Sequence, residues 1–274
     1  MGSSRVSKIF VNNIEDNNSW YNLAYPEGVP AEHLTDIKLL LDNDVSICNL
    51  YIVIDNISFL VSPNSHNDKL IFQPYDSSPA VLLRFLLAKP SFRKIIDIRH
   101  GKKINYDFYN TGDQKIIDKD RWIEENIDLH IKDKKFNSPT WTGYYYYRID
   151  QTIKELLEIK EICKNQEINL TFFINPMHSS TYSKLDVDKY MIFLQRLSEI
   201  HGFYDFSGFN SITINNYNYY ETSHFRPHVG ELIKIKLFNQ KSLTADSTSL
   251  GNFISTSNID SIVGFKRLEF YNHK

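Results

Sequence analysis

Ser4, in Gly2-Ser3-Ser4-Arg5, and the pair Glu221 and His224, in Glu221-Thr222-Ser223-His224, are the residue types that turn a hydroxyl into a nucleophile. A serine attacks a carbonyl only when a base takes its proton, and an imidazole serves best when a carboxylate on its far nitrogen fixes the ring tautomer. In this reading Ser4 attacks, His224 is the general base and Glu221, three residues earlier, orients it. A helix beginning near Arg5 would put free backbone N–H groups and a helix dipole at Ser4, where an oxyanion develops. Gly28 in a turn allows close backbone approach and a second donor, and Asn56 supplies a third. The set describes acyl transfer to or from a hydroxyl.

The same residues have structural readings. A Gly-Ser-Ser start also reads as a tail, and His224 and Glu221 also fit a helix-start histidine and an acidic residue favouring the helix dipole. His178, just past a strand end in Pro176-Met177-His178, is a substrate contact or a solvent-facing loop residue. Arg226 binds an anionic group on a sugar or salt-bridges locally. Tyr144 to Tyr147 and Tyr217, Tyr219 and Tyr220 stack on sugar faces or pack on strands and helices. His224 and His228 with Glu221 have metal-ligand character, but Pro227 between the histidines keeps them off one regular helix face, so no metal site is expected. The serine chemistry requires no cofactor.

These residues need a frame that delivers them to one place, and the chain reads as an alternation of strands and helices. Trp20 to Tyr25 predicts a short strand ended by Pro26-Glu27-Gly28, and Leu34, Ile37, Leu40 and Leu41 predict a helix over 31–41. Leu50 to Ile54 is a continuous apolar run, the pattern of a strand covered on both faces. Further on, a helix over 144–164, a strand over 168–174, a helix over 187–201, a strand over 203–206 and a helix over 229–237 continue the series. Alternation of this kind implies an α/β fold with a mostly parallel sheet, helices on both faces and the ligand crevice at the carboxyl ends of the strands. Residues 79–131, with a helix over 81–87 and a charged loop holding Gly101 and Gly112, read as an insertion or cap. Residues 239–274, Ser/Thr/Asn-rich with an apolar tail at 262–270, read as a peripheral extension of a domain over 1–238.

A chain of 274 residues with 42% hydrophobic residues can bury a large core. Its net charge of −2 comes from mixed acidic and basic residues, and no basic stripe marks a nucleic-acid partner. Cys48 and Cys163 have no ligand spacing and read as buried thiols. No stretch reaches the length of a membrane span. An apolar strand is expected before a nucleophile turn, and only Met1-Gly2-Ser3 precede Ser4, so the first strand reads as truncated. An upstream part would carry that strand and a signal or anchor, placing the protein in the cell envelope; without one the cytoplasm is expected.

Gly2-Ser3-Ser4-Arg5-Val6, Tyr21-Asn22-Leu23-Ala24 followed by Gly28, and Asn218-Tyr219-Tyr220-Glu221-Thr222-Ser223-His224-Phe225 followed by Gly230 resemble the SGNH (GDSL-like) hydrolase superfamily. The likeness is to its bacterial branch associated with surface polysaccharide biosynthesis and O-acetylation, and it runs from Gly2 to about Leu237. It implies a flavodoxin-like three-layer sandwich with Ser4 as nucleophile, Gly28 as oxyanion glycine and His224 as base. It implies an esterase or O-acyltransferase working on acyl, above all acetyl, esters of a carbohydrate or acylated small molecule, with membrane-associated polysaccharide machinery as a partner. The chain departs from the family pattern at Glu221, where Asp is usual, and at Val53-Ile54-Asp55-Asn56, which lacks a GxND. A noncatalytic carbohydrate-binding or assembly component on the same fold is the alternative.

Overall fold

The computed structural model describes residues 1–12, 14, 18–66, 79, 83, 86–87, 92–99, 107, 109–138, 147–238 and 250–273. Gly2–Ser3 (β1) pairs in parallel with Ala24–Tyr25 (β2). The helices Pro30–Asp42 (α1) and Asn56–Leu60 (α2) flank the strand Asn49–Ile54 (β3). Helices Phe92–Arg99 (α3), Ile117–Glu125 (α4) and Ile127–Ile131 (α5) lie in the predicted insertion. Then come Ile149–Asn165 (α6), Asn169–Ile174 (β4), Ser179–Tyr182 (α7), Val187–Ile200 (α8) and Phe203–Asp205 (β5). Pro227–Leu237 (α9), Asn252–Ile254 (β6) and Ile259–Asn272 (α10) complete the order.

The strands β3, β4 and β5 are parallel neighbours, and β6 closes that sheet antiparallel to β5. Met1 joins the β1–β2 pair to it: its nitrogen donates to Tyr51 O at 2.8 Å, and Val53 N–H donates to Met1 O at 2.9 Å. The chain is thus α/β with a mixed, mostly parallel sheet.

Side chains alternate across a pleated strand, and here both faces of the central strands are apolar. Leu50, Ile52 and Ile54 of β3, with Phe172 and Ile174 of β4, face a cluster built by Leu34 and Ile37 of α1, Leu156 and Ile159 of α6 and Leu194 and Leu197 of α8. Val53 and Phe173 point the other way, to Val6, Phe206, Phe225 and, from α9, Val229 and Ile233. Helices therefore cover both faces, an arrangement compatible with a three-layer sandwich. On the second face α9 comes close to the short 3-10 helix Ser4–Lys8, since a Cβ on Gly230 would stand 2.3 Å from Lys8 O.

Several elements differ from the sequence reading. The strand expected at 20–25 contracts to Ala24–Tyr25, because Trp20 turns its ring edge-on to Tyr51 and Phe238. The helix expected from 144 begins at Ile149, and Tyr144 to Tyr146 lie outside the described residues, as does Gly101. Of the helix expected over 81–87, Leu83, Leu86 and Leu87 are described, with Leu87 N–H donating to Leu83 O at 2.9 Å. Cys48 is exposed rather than buried, whereas Cys163 is buried and its thiol is pushed up to about 11 by that burial.

The segment 239–274 is not peripheral over its described part. Ile254 on β6 and Ile259, Val263 and Phe270 on α10 belong to the larger core cluster. Lys266 reaches from α10 into that core to Asp205 Oδ2 at 2.9 Å and Ser207 O at 3.1 Å. A sparse apolar pattern hides this role, because a short edge strand contributes one buried residue and the helix only a narrow stripe. Phe270, stacked on Tyr182, is 1% exposed. Replacing Phe270 by alanine is expected to lower the unfolding free energy by about 3 kcal/mol, read as a shifted urea midpoint; a peripheral segment would leave it unmoved.

Candidate active site

β1 ends where Ser4 begins the 3-10 helix, and Ser3 caps that helix as its oxygen accepts from Arg5 N–H at 3.4 Å. Late in the chain, Tyr220 N–H donates to His224 O at 2.8 Å, closing a tight loop over 220–224 ahead of α9. These two turns meet. Ser4 Oγ lies 3.0 Å from His224 Nε2, although 220 residues separate them. On the other side of the ring, His224 Nδ1 is hydrogen-bonded to Glu221 Oε1. With Nδ1–H donating to the carboxylate, Nε2 is left as the acceptor for the Ser4 hydroxyl, the tautomer a general base needs.

Glu221 is itself held by the loop it closes. The amides of Ser223 and His224 donate to its two oxygens at 3.2 and 3.1 Å. Burial pushes its carboxyl up, and the His224 hydrogen bond and charge, the Ser223 amide and the Lys119 ammonium outweigh that and hold it below its ordinary value. The Glu221 side chain is long enough to close this i,i+3 wrap. His224 and Glu221 side chains remain 33% and 25% exposed, so the imidazole is open to a substrate.

Behind Ser4 lies a buried polar knot that the motif reading misses. Arg5, 2% exposed, donates through Nη1 to Asn56 Oδ1, stands 3.5 Å from Asp55 Oδ2, and donates through Nη2 to Ser223 Oγ at 3.3 Å. Ser3 Oγ donates to the same Asp55 oxygen at 2.6 Å, and Asp55 Oδ1 accepts from Ile57 N–H at the start of α2. One guanidinium thus ties the Ser4 turn, the carboxyl end of β3 and the His224 loop together. The sequence signal available for it was a carboxylate and an amide directly following an apolar strand.

The remaining predicted site residues fall differently. Gly28 is buried beside Tyr25, His33 and Gly2 O, and its N–H donates back to Tyr25 O at 3.3 Å, so the turn itself takes the donor expected for an oxyanion. His178 is neither a substrate contact nor a solvent-facing residue. It is 2% exposed, its Nδ1 accepts from Ser180 N–H at 3.1 Å to cap α7, its Nε2 bonds Asn216 Oδ1 at 2.9 Å, and its ring stacks on Phe136. Burial lowers its pKa below the ordinary imidazole value, against the opposing Asn216 hydrogen bond and Glu221 charge. Arg226 is 3% exposed and engaged with Asp120 at 3.2 Å and Glu124 at 2.5 Å, above the Tyr217 ring, so an anionic sugar group finds no free guanidinium there.

Those contacts change the role of the insertion. Tyr220 O–H also donates to Asp120 at 2.6 Å, Tyr217 O–H to Glu124 at 2.8 Å, and the His130 ring bonds Tyr219 O at 2.8 Å. Helices α4 and α5 brace the loop that carries His224. His228, bonded to Asn218 at 2.9 Å and lowered to about 4 by burial and the Arg226 charge, belongs to the same brace. Among the described residues no group of three or more His, Cys, Asp and Glu could hold a metal ion.

A cavity of about 700 Å³ lies elsewhere, toward the amino end of β3 and lined by Trp20, Tyr51, Leu237 and Phe238. Ser4, Glu221 and His224 are not among its lining residues. No family model matches this chain, and neither does any curated protein or solved structure.

Two outcomes follow from the buried groups. Arg5→Met strands the buried Asp55 carboxylate and is expected to cost about 3 kcal/mol in urea unfolding, part of it regained in Arg5→Met/Asp55→Asn; a fully additive double variant contradicts the pairing. His33, fully buried, is lowered to about 3, and His228 to about 4, from an ordinary 6.5. The unfolded chain therefore takes up protons below pH 6.5 that the folded chain refuses, and unfolding free energy falls as pH drops from 6.5 toward 4. The slope is up to about 1.4 kcal/mol per pH unit for each imidazole, and His228→Gln should remove one share of it.

Proposed function

We propose that this chain is an SGNH-like, flavodoxin-type hydrolase domain acting as an esterase or O-acyltransferase on ester-linked acyl groups, acetyl foremost, of a bacterial carbohydrate. The observation that carries this reading is the Ser4–His224–Glu221 array, with Ser4 Oγ 3.0 Å from Nε2 and the carboxylate on the opposite ring nitrogen. Parallel strands on either side of β1, with the array on their carboxyl-end rim, support the finer fold assignment.

In the proposed reaction Ser4 Oγ forms a bond to the acyl carbonyl carbon as its proton passes to His224 Nε2. The carbonyl oxygen takes the negative charge. When the carbon–oxygen bond to the sugar breaks, the departing alkoxide collects the proton from His224, leaving an acyl-serine. Water, or an acceptor hydroxyl, then gives its proton to His224 and attacks the acyl carbon, and as the bond to Ser4 Oγ breaks His224 returns that proton to the serine oxygen, releasing the acid or the new ester. Glu221 stabilises the imidazolium formed in each half.

The oxyanion is assigned to the Ser4 backbone N–H and the Asn56 side chain. Arg5 occupies Asn56 Oδ1, which leaves Nδ2 as the donating end of that amide. Gly28 has no part in this version, since its N–H is used in the turn. The sugar and membrane-associated machinery remain what the SGNH resemblance implies.

The test uses an activated acetyl ester and the purified chain. Ser4→Ala and His224→Ala are each expected to lower kcat/KM by about a thousandfold or more, and Glu221→Gln by about a hundredfold or more. A serine-directed fluorophosphonate should add its mass at Ser4 in wild type alone. Equal hydrolysis by wild type and Ser4→Ala would discard the enzymatic reading, and saturable polysaccharide binding without turnover would favour a carbohydrate-binding component.

A further inference from the structure

Two lysines stand against the ring of Tyr220, the residue whose N–H donates to His224 O and which directly precedes Glu221. Lys119 Nζ lies 4.7 Å from the ring centroid and Lys8 Nζ 6.0 Å. Lys8 is 1% exposed and places its donors on Gln114, at 3.1 Å to the backbone oxygen and 2.7 Å to Oε1. Lys135, whose charge also bears on Lys119, is held by Asp133 at 3.1 Å. Lys119, on the first turn of α4, is exposed, and among the described residues no carboxylate or other acceptor stands within ion-pair or hydrogen-bond distance of its ammonium. The nearby acids are committed elsewhere: Glu221 to His224, and Asp120 to Arg226 and the Tyr220 hydroxyl.

An ammonium set among like charges, with no anion of its own, is an electrostatic excess beside the imidazole loop. Although Lys119 is exposed, desolvation around its ammonium and then the Lys135 charge hold its pKa below the ordinary lysine value, against the Glu221 and Asp120 charges. An oxyanion arriving from solvent would supply both the missing charge and the missing acceptor. We propose that Lys119 recognises an oxyanion, a carboxylate or a phosphate, carried by the acylated sugar, which makes the substrate an acidic rather than a neutral carbohydrate. The inference rests on the esterase or acyltransferase reading of Ser4, His224 and Glu221.

Arg226, whose type suggested this role, is buried and engaged with Asp120 and Glu124. Lys119 also helps to hold the Glu221 carboxyl below its ordinary value. A lysine confined to that duty would affect every ester alike, whereas one that meets the substrate favours charged esters over neutral ones. The two roles therefore separate by substrate.

The test compares a methyl glucuronoside, a glucose phosphate and a methyl glucoside, each carrying one acetyl group. For at least one charged ester kcat/KM is expected to exceed that of the neutral glucoside by about tenfold; the better of the two names the oxyanion, and the ratio should shrink as salt is raised. Lys119→Gln should erase the ratio through KM, and Lys119→Arg should keep most of it, with thermal transitions matching wild type to show that both fold. Calorimetric binding of the preferred ester to Ser4→Ala should weaken about tenfold in Ser4→Ala/Lys119→Gln, a readout that does not need turnover. Binding of this kind without hydrolysis of any ester by wild type would remove the enzymatic reading and leave the role of Lys119 standing. A ratio near one in wild type, an equal loss on charged and neutral esters in Lys119→Gln, or binding indifferent to that substitution would each overturn the proposal.

Discussion

A buried guanidinium is tolerable only where its donors are met, and Arg5 meets that demand by gathering three distant pieces of chain. Asp55 and Asn56 come from the carboxyl end of β3, Ser223 from the late loop, and Arg5 follows the serine itself. Each partner is needed by the charge, so the charge dictates where the partners stand. The Ser4 hydroxyl and the His224 ring are one residue away on either side of this knot. Their 3.0 Å approach is in that sense a by-product of satisfying a cation out of reach of water.

A second constraint comes from outside the sheet. The loop that carries His224 has little regular structure of its own, and its tyrosines and Arg226 are held by Asp120, Glu124 and His130 from α4 and α5. Residues that suggested sugar contacts in the sequence, Tyr217 and Tyr220 among them, have their hydroxyls on these carboxylates. The brace converts a flexible kind of segment into a fixed one. His178 works similarly from the other side, capping α7 and gripping Asn216.

Much of the frame was legible because periodicity is a local property. Leu50 to Ile54 and the strand ending at Ile174 announce two-sided burial, and the stripes of α1, α6 and α8 announce one-sided burial. Ser4, Glu221 and His224 were legible by type, and the three expected together do lie together. What stayed hidden depends on partners. Arg226 and His178 are polar residues at loop positions whose burial is decided by Asp120, Asn216 and Phe136, none of them near in sequence. Gly28 was read from its freedom to approach a ligand, and the structure spends that freedom on packing against His33 and Gly2 O. The C-terminal edge strand and α10 were missed because three residues of strand and one buried isoleucine are too little pattern to recognise.

The separation of Ser4 from His224 by 220 residues also bears on how the molecule comes into being. A chain emerging from the ribosome exposes this serine 220 residues before the imidazole, and over that interval the hydroxyl is chemically inert. The central pairing of β3 with β4 likewise joins residues far apart, from Asn49 with Asn169 to Ile54 with Ile174. Such long-range contacts make assembly slow and concerted. Whatever reactivity the pair supports is switched on only after the His224 loop has been made and docked, which spares the nascent polypeptide from acting on its surroundings before then.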